Sequence, residues 1–304
     1  MKFSSITSVL ALAASVAAAP QKSCPSNSTV PYTTIAGIKV IDTPLVRKAR
    51  DLMEANFEPF LIRHVYRTWL YGAATIHNNA TLAAKIDIEA HAVACLLHDL
   101  GWDTRDNSPF VSPDKRFEVD AAIYTANFLR ENGVKGEWDP RRIQNVWHGI
   151  ALHGTSNIGL FSEEINVAFI VESINMDYPG PHPKFPASDY DNIIAEFPMD
   201  GLGEGTNKAF THIAATKPAA TYDNFLEPWG VAFVPGYNPV GNRLFDRGNP
   251  NVTSPPPARR NVHGGIPAPS PAQDHQQERG TSPHPSLRNP SRRTRVSADC
   301  GTYP

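Results

Sequence analysis

Ala92-Val93-Ala94-Cys95-Leu96-Leu97-His98-Asp99-Leu100-Gly101-Trp102 reads as an apolar helix that ends in an adjacent His-Asp pair. Ionisable side chains at the inner end of a buried helix are expensive to desolvate, so they are normally paired or bound to a metal. Two further residues extend the pair. His64 lies 34 residues before His98 on another expected helix, and Asp177 lies 78 residues after Asp99 at a helix end. Two imidazoles and two carboxylates suit a borderline divalent metal that keeps open positions for water. Without a metal the same residues would make a buried ion-pair network.

Helix signals flank this stretch on both sides. Thr43-Pro44 opens a helix as N-cap and first residue, and Leu45, Ala49, Leu52 and Met53 stripe it to about Asn56. Pro59 starts a second helix that carries His64 and runs to about His77. Asp87 caps the helix of His98, and Gly101 is expected to end it. A polar loop over 102–114 should border the pocket. Phe117, Ala121, Tyr124 and Phe128 then mark a helix from Lys115 to Asn132, with Gly133 as its stop. Asp139-Pro140 begins another, on which Ile143, Val146, Ile150 and His153 share an inward stripe while His148 faces elsewhere. Residues 163–177 form one more helix, placing Asp177 at its C-terminal end. A Pro/Gly-rich loop and short helices lead on to Gly236-Tyr237. With no internal repeats and no strand runs of note, the spacing predicts an all-α bundle.

Of the 304 residues, 41% are hydrophobic, ample for a core. The net charge of −2 hides an asymmetry: residues 247–304 hold eight Arg and three acids, leaving 20 basic and 27 acidic residues in 1–246. A mildly acidic body argues against nucleic acid as a partner. Residues 1–18 read as a secretory signal peptide, with Lys2, an apolar run from Val9 to Val16 and cleavage after Ala18. No later run reaches the length of a membrane span. Residues 19–37 are expected to be a flexible segment, 38–240 the folded domain, and 241–304 a disordered Pro/Arg-rich tail. Residues 247–304 contain 11 of the 28 prolines and few large apolar side chains. That composition fits a functional extension and translation in another frame equally well. Secretion would make Asn27, Asn79 and Asn251 glycosylation sites. Cys95 reads as a buried free thiol, and Cys24 and Cys300 lie in the flexible ends.

The series His64, His98-Asp99, Asp177 resembles the HD-domain metalloenzymes. His64-Val65-Tyr66-Arg67 through Leu70-Tyr71-Gly72, Leu97 to Trp102, Lys115-Arg116-Phe117-Glu118-Val119-Asp120-Ala121, Ile150-Ala151-Leu152-His153 and Lys217-Pro218 with Thr221-Tyr222-Asp223-Asn224-Phe225 are similar to the cyanamide hydratase branch. The likeness covers about residues 38–237. It implies an HD-domain helical bundle and a lyase that hydrates a small nitrile-type substrate, cyanamide to urea, with metal-activated water. The implied metal ligands are His64, His98, Asp99 and Asp177. The implied cofactor is one divalent ion, Zn2+ first, with Fe2+ or Mn2+ as alternatives. A second metal would need histidines between Asp99 and Asp177 on one face, and His148 and His153 point differently.

His153, inward-facing and within one of these words, is expected to contact substrate, and Glu118 is the second candidate for moving the proton. His91, His148, His182 and His212 read as structural, and Trp69, Tyr71 and Trp102 as core aromatics. A phosphohydrolase would use the same metal on phosphorus and needs a cationic cluster, for which Arg67, Arg105, Lys115 and Arg116 are the residues near the motifs. A secreted, non-catalytic binding protein is the third alternative. The expected partner is a small-molecule substrate, with no nucleic acid and no membrane; oligomeric state stays open.

Overall fold

Three of the longer helices start where a side chain caps them. Thr43 Oγ1 accepts the Val46 amide at 3.2 Å at the head of α1 (Pro44–Asn56), and Pro59 opens α2 (Pro59–His77). After the short α3 (Ala80–Ala83), Asp87 accepts the Ala90 amide at 3.1 Å and starts α4 (Ile88–Leu97). Then come α5 (Phe117–Asn132) and α6 (Pro140–Leu152), the latter capped by Asp139 on the Arg142 amide at 2.9 Å. The chain continues through α7 (Ser156–Gly159), α8 (Ile165–Asn175), α9 (Ala187–Glu196), α10 (Leu202–Thr216), α11 (Glu227–Phe233) and α12 (Leu244–Gly248). The structure, a computed structural model, describes residues 30–178 and 184–250. The signal peptide, Asn27, Cys24, His182, Asn251, Cys300 and the tail beyond Pro250 lie outside the described residues.

The fold is all-α, as the spacing predicts. α4 is buried on every side from Ala90 to Leu97, which accounts for its unbroken apolar sequence. It lies against α1, α2, α6 and α8, while α5 runs along α6, and α10 and α11 close one end. Leu96 and Leu97 of α4 share one continuous core with Val65, Trp69, Leu70, Ile150 and Ile170, each contributing about 1.5–3 kcal/mol by leaving water.

Four local expectations are corrected. β1 (Tyr32–Ile35) pairs antiparallel with β2 (Ile38–Ile41), Tyr32 opposite Ile41, where flexible chain through residue 37 and no strand were expected. The link Ala36-Gly37 has φ of 48° and 76°, the two-residue turn whose twist suits a hairpin, and Ile38, Val40 and Ile41 are buried. α4 stops at Leu97 rather than at Gly101: His98 is its C-cap and Leu100–Trp102 form a 3-10 turn. Gly101 serves a different purpose, since a Cβ there would overlap the backbone carbonyl of Phe117, so its absence lets the first turn of α5 approach. Gly133 follows α5 with φ −67°, outside the left-handed region, and keeps clear of the Trp138 ring. Order also passes the expected boundary at 240: Asp246 is buried and accepts from the Gly241 amide at 3.0 Å, and the Leu244 amide donates to Asp223 at 2.7 Å.

Candidate metal centre

Three helices deliver their polar residues to one point. His64 comes from the second turn of α2, His98 and Asp99 from the end of α4, and His153 from the C-cap of α6. All four are buried, His64, His98 and Asp99 to within 1%. Their tautomers follow from their outer partners. His98 Nδ1 donates to the Cys95 carbonyl at 2.8 Å and His153 Nδ1 to the Ile150 carbonyl at 2.6 Å, because a carbonyl only accepts. His64 Nδ1 donates to Asp177 Oδ2 at 2.7 Å.

Every inward nitrogen is therefore an Nε2 lone pair. His64 Nε2 stands 3.2 Å from His98 Nε2, and the two lie 3.4 and 3.2 Å from Asp99 Oδ2. His153 Nε2 faces Asp99 Oδ1 at 3.5 Å. Neither Asp99 oxygen has a hydrogen-bond donor among the described residues. Acceptors facing acceptors in a buried pocket repel unless a cation lies between them. The ligating atoms of His64, His98 and Asp99 all lie within 4.8 Å of one another, so this group can hold a metal ion. Two imidazoles and a carboxylate suit a borderline divalent ion and leave coordination positions open. The electrostatics agree. Burial works against charging His64, yet its hydrogen bond to Asp177 and the carboxylate charge of Asp99 beside it raise its pKa to about 9, so in a metal-free site a proton takes the cation's place. His98 shifts the other way, lowered because burial outweighs Asp99.

The remaining candidates fall outside this cluster. Asp177, two residues past α8, does not join it: its oxygens accept from Arg67 Nε at 2.6 Å and Nη2 at 2.7 Å as well as from His64. Arg67 is itself anchored by the carbonyls of Phe197 and Pro198 at 3.1 and 2.9 Å. Asp177 thus holds the outer nitrogen of His64, an arrangement that orients a ligand and raises its basicity. Glu118 is fully buried but forms an ion pair with Arg116, behind Gly154, and it does not line the cavity described below. Asp120 pairs with the buried Lys217 at 2.7 Å. His91 donates to Ser173 Oγ at 3.0 Å deep in the core, and His148 sits at the surface beside Gln144. Trp69 and Tyr71 are core, Tyr71 stacking on Phe185 and Tyr190.

Over the cluster lies a cavity of about 350 Å³. Its floor is His64, His98, Asp99 and His153. Trp102, Phe117, Phe210, Phe225 and Trp229 wall it, and Ser156, Asn175 and Thr206 add polar groups. Among the described residues no lysine or arginine lines it. Trp102, buried in a smaller apolar cluster with Phe117 and Phe210, is also part of this wall. Sequence reasoning missed the role of Arg67, although its place three residues after His64 puts both on one face of α2.

Fold and site define an all-α protein with a buried His/Asp group able to hold a metal at the floor of an aromatic cavity. No family model matches this chain, and no curated protein matches it.

Proposed function

We propose that the protein is an HD-domain metalloenzyme of the cyanamide hydratase type that hydrates a small nitrile-type carbon. The observation carrying this reading is the acceptor-only cluster of His64, His98 and Asp99 beneath a cavity that no lysine or arginine among the described residues lines. A neutral electrophile suits such a cavity, whereas a phosphate ester requires positive charge to hold it. Each cation near the motifs is already engaged: Arg67 with Asp177, Arg105 with Asp103, Lys115 with Asp114 and Arg116 with Glu118.

In the reaction, water oxygen bonds to the nitrile carbon, one C–N π pair moves to nitrogen, and a proton passes from the water to that nitrogen. The second water proton then moves from oxygen to nitrogen as the C=O bond forms and the remaining C–N π bond is lost. A bound divalent ion, Zn2+ by the donor set, supplies the Lewis acidity that makes water nucleophilic near neutral pH. Asp177, held by Arg67, keeps His64 in its ligating orientation. His153 is the proton carrier: with Nδ1–H fixed on Ile150, Nε2 has a free lone pair to accept the proton and return it to nitrogen. Trp102, Phe117 and Phe210 keep bulk water away. No protein nucleophile is used and no group departs.

Metal-loaded protein assayed against cyanamide, other nitriles, a phosphomonoester and nucleotides tests this. Amide or urea should form in a chelator-sensitive reaction. Phosphate release without nitrile hydration would replace this reading with the phosphohydrolase.

A further inference from the structure

The cavity is much larger than cyanamide needs. Three heavy atoms occupy about the space of two waters, roughly 60 Å³ at the bulk share of each. A dry cavity of about 150 Å³ is enough to take a benzene ring, so 350 Å³ accommodates a ring together with the group that reacts. The walls are suited to such a ring. Phe210 lies edge-on to Trp102 at 4.7 Å, to Trp229 at 5.0 Å and to Phe225 at 5.6 Å, with Phe117 at 5.8 Å. This aromatic wall is continuous with the metal cluster, because Trp102 stacks parallel to His64 at 6.2 Å. A group attached to a carbon seated over Asp99 and His153 would point into these rings. Trp102 Nε1 is buried and has no hydrogen-bond partner among the described residues, leaving one donor for a polar substituent.

We infer that the substrate is an aromatic nitrile: one aryl ring lies against Trp102, Phe117, Phe210, Phe225 and Trp229, and its nitrile carbon sits at the His64-His98-Asp99 end. This rests on the nitrile-hydrating reading, which it narrows from cyanamide to a ring-bearing substrate. Hydration converts Ar–C≡N and water into Ar–C(=O)NH2, forming one C–O bond with no oxidant, reductant or leaving group. Apolar burial supplies the selectivity, and offset or edge-on ring contacts add to it.

Binding of the two product types separates this inference from the reaction it builds on. Titration calorimetry of the zinc-loaded full chain with benzamide and with urea should show benzamide about tenfold tighter or more. Phe225→Ala, at a position 37% exposed, and Trp229→Ala should each shrink that ratio, with unchanged circular dichroism showing that the fold persists. In turnover, benzonitrile should exceed cyanamide in kcat/KM. Equal binding of the two products, or a ratio untouched by both well-folded variants, would overturn the inference and leave cyanamide hydration standing. Selective benzamide binding lost in the variants, with neither nitrile hydrated, would uphold the ring site and remove the reaction.

Discussion

His98 and Asp99 are neighbours in sequence, yet different backbone states bring them to the same point. His98 keeps helical geometry as the cap of α4, whereas Asp99, at φ −107° and ψ 21°, leaves the helix and turns its carboxylate back toward the imidazoles. His64, His98 and Asp99 were legible as a set through the resemblance to HD-domain metalloenzymes, with His64 and His98 at predictable places on helices. Asp177 was legible as a member of the site but not in its position: its place depends on Arg67, which reaches it from another helix across a separation of 110 residues. Glu118 was legible as a candidate for moving the proton, while its burial and its pairing with Arg116 were not. Asp177→Asn should therefore cost about 10–100-fold in metal affinity and leave a measurable site, the usual worth of a group that orients a ligand. Complete loss by metal titration would make Asp177 a ligand. His153→Asn should keep metal and fold and lower turnover by about 10²–10⁴-fold. Turnover within a few-fold of the parent would make it a core histidine.

At the scale of elements, the caps Thr43, Asp87 and Asp139 and the prolines after two of them located the helix starts, because a capping oxygen acts within its own turn. Helix ends were less legible. Gly101 and Gly133 resemble helix stops in sequence, but Gly101 is short of space against the first turn of α5 and Gly133 against the Trp138 ring, which only the packed fold reveals. The hairpin was missed because four-residue strands around Ala36-Gly37 are too short for an alternation signal, and its burial against the helices decides the conformation. Gly101→Ala should destabilise the fold by about 1–3 kcal/mol in denaturant unfolding, since the obstacle is rigid backbone, and should lower metal occupancy by displacing Asp99. Gly203→Ala on α10 meets nothing within 4 Å and should raise stability by up to about 1 kcal/mol. Equal effects at the two sites would contradict the packing role given to Gly101.

For the whole molecule, the all-α class followed from apolar periodicity, and the core follows from α4 being enclosed by its neighbours. Enclosure has a pH consequence at His91. Burial, opposed only by Asp87, lowers its pKa from 6.5 to about 3, so the unfolded chain binds this proton more readily than the folded one. Stability from this group is present above pH 6.5 and lost as pH falls toward 3. His64 runs oppositely, its raised pKa affecting stability only as pH rises toward 9. Urea midpoints of metal-free protein should thus fall from pH 6.5 to 4.5, and His91→Gln should flatten that slope; an unchanged slope would remove His91 as its source. A metal that binds only the folded state should also raise the melting temperature, and chelation should reverse the gain.

Everything proposed for the reaction depends on a cation among His64, His98 and Asp99, so the most direct test is metal content. Elemental analysis of the purified, zinc-reconstituted chain beside Asp99→Ala and His98→Ala should find one divalent ion per parent chain and none in either variant. A parent chain that takes up no metal, or a variant that retains a full equivalent, would contradict the account.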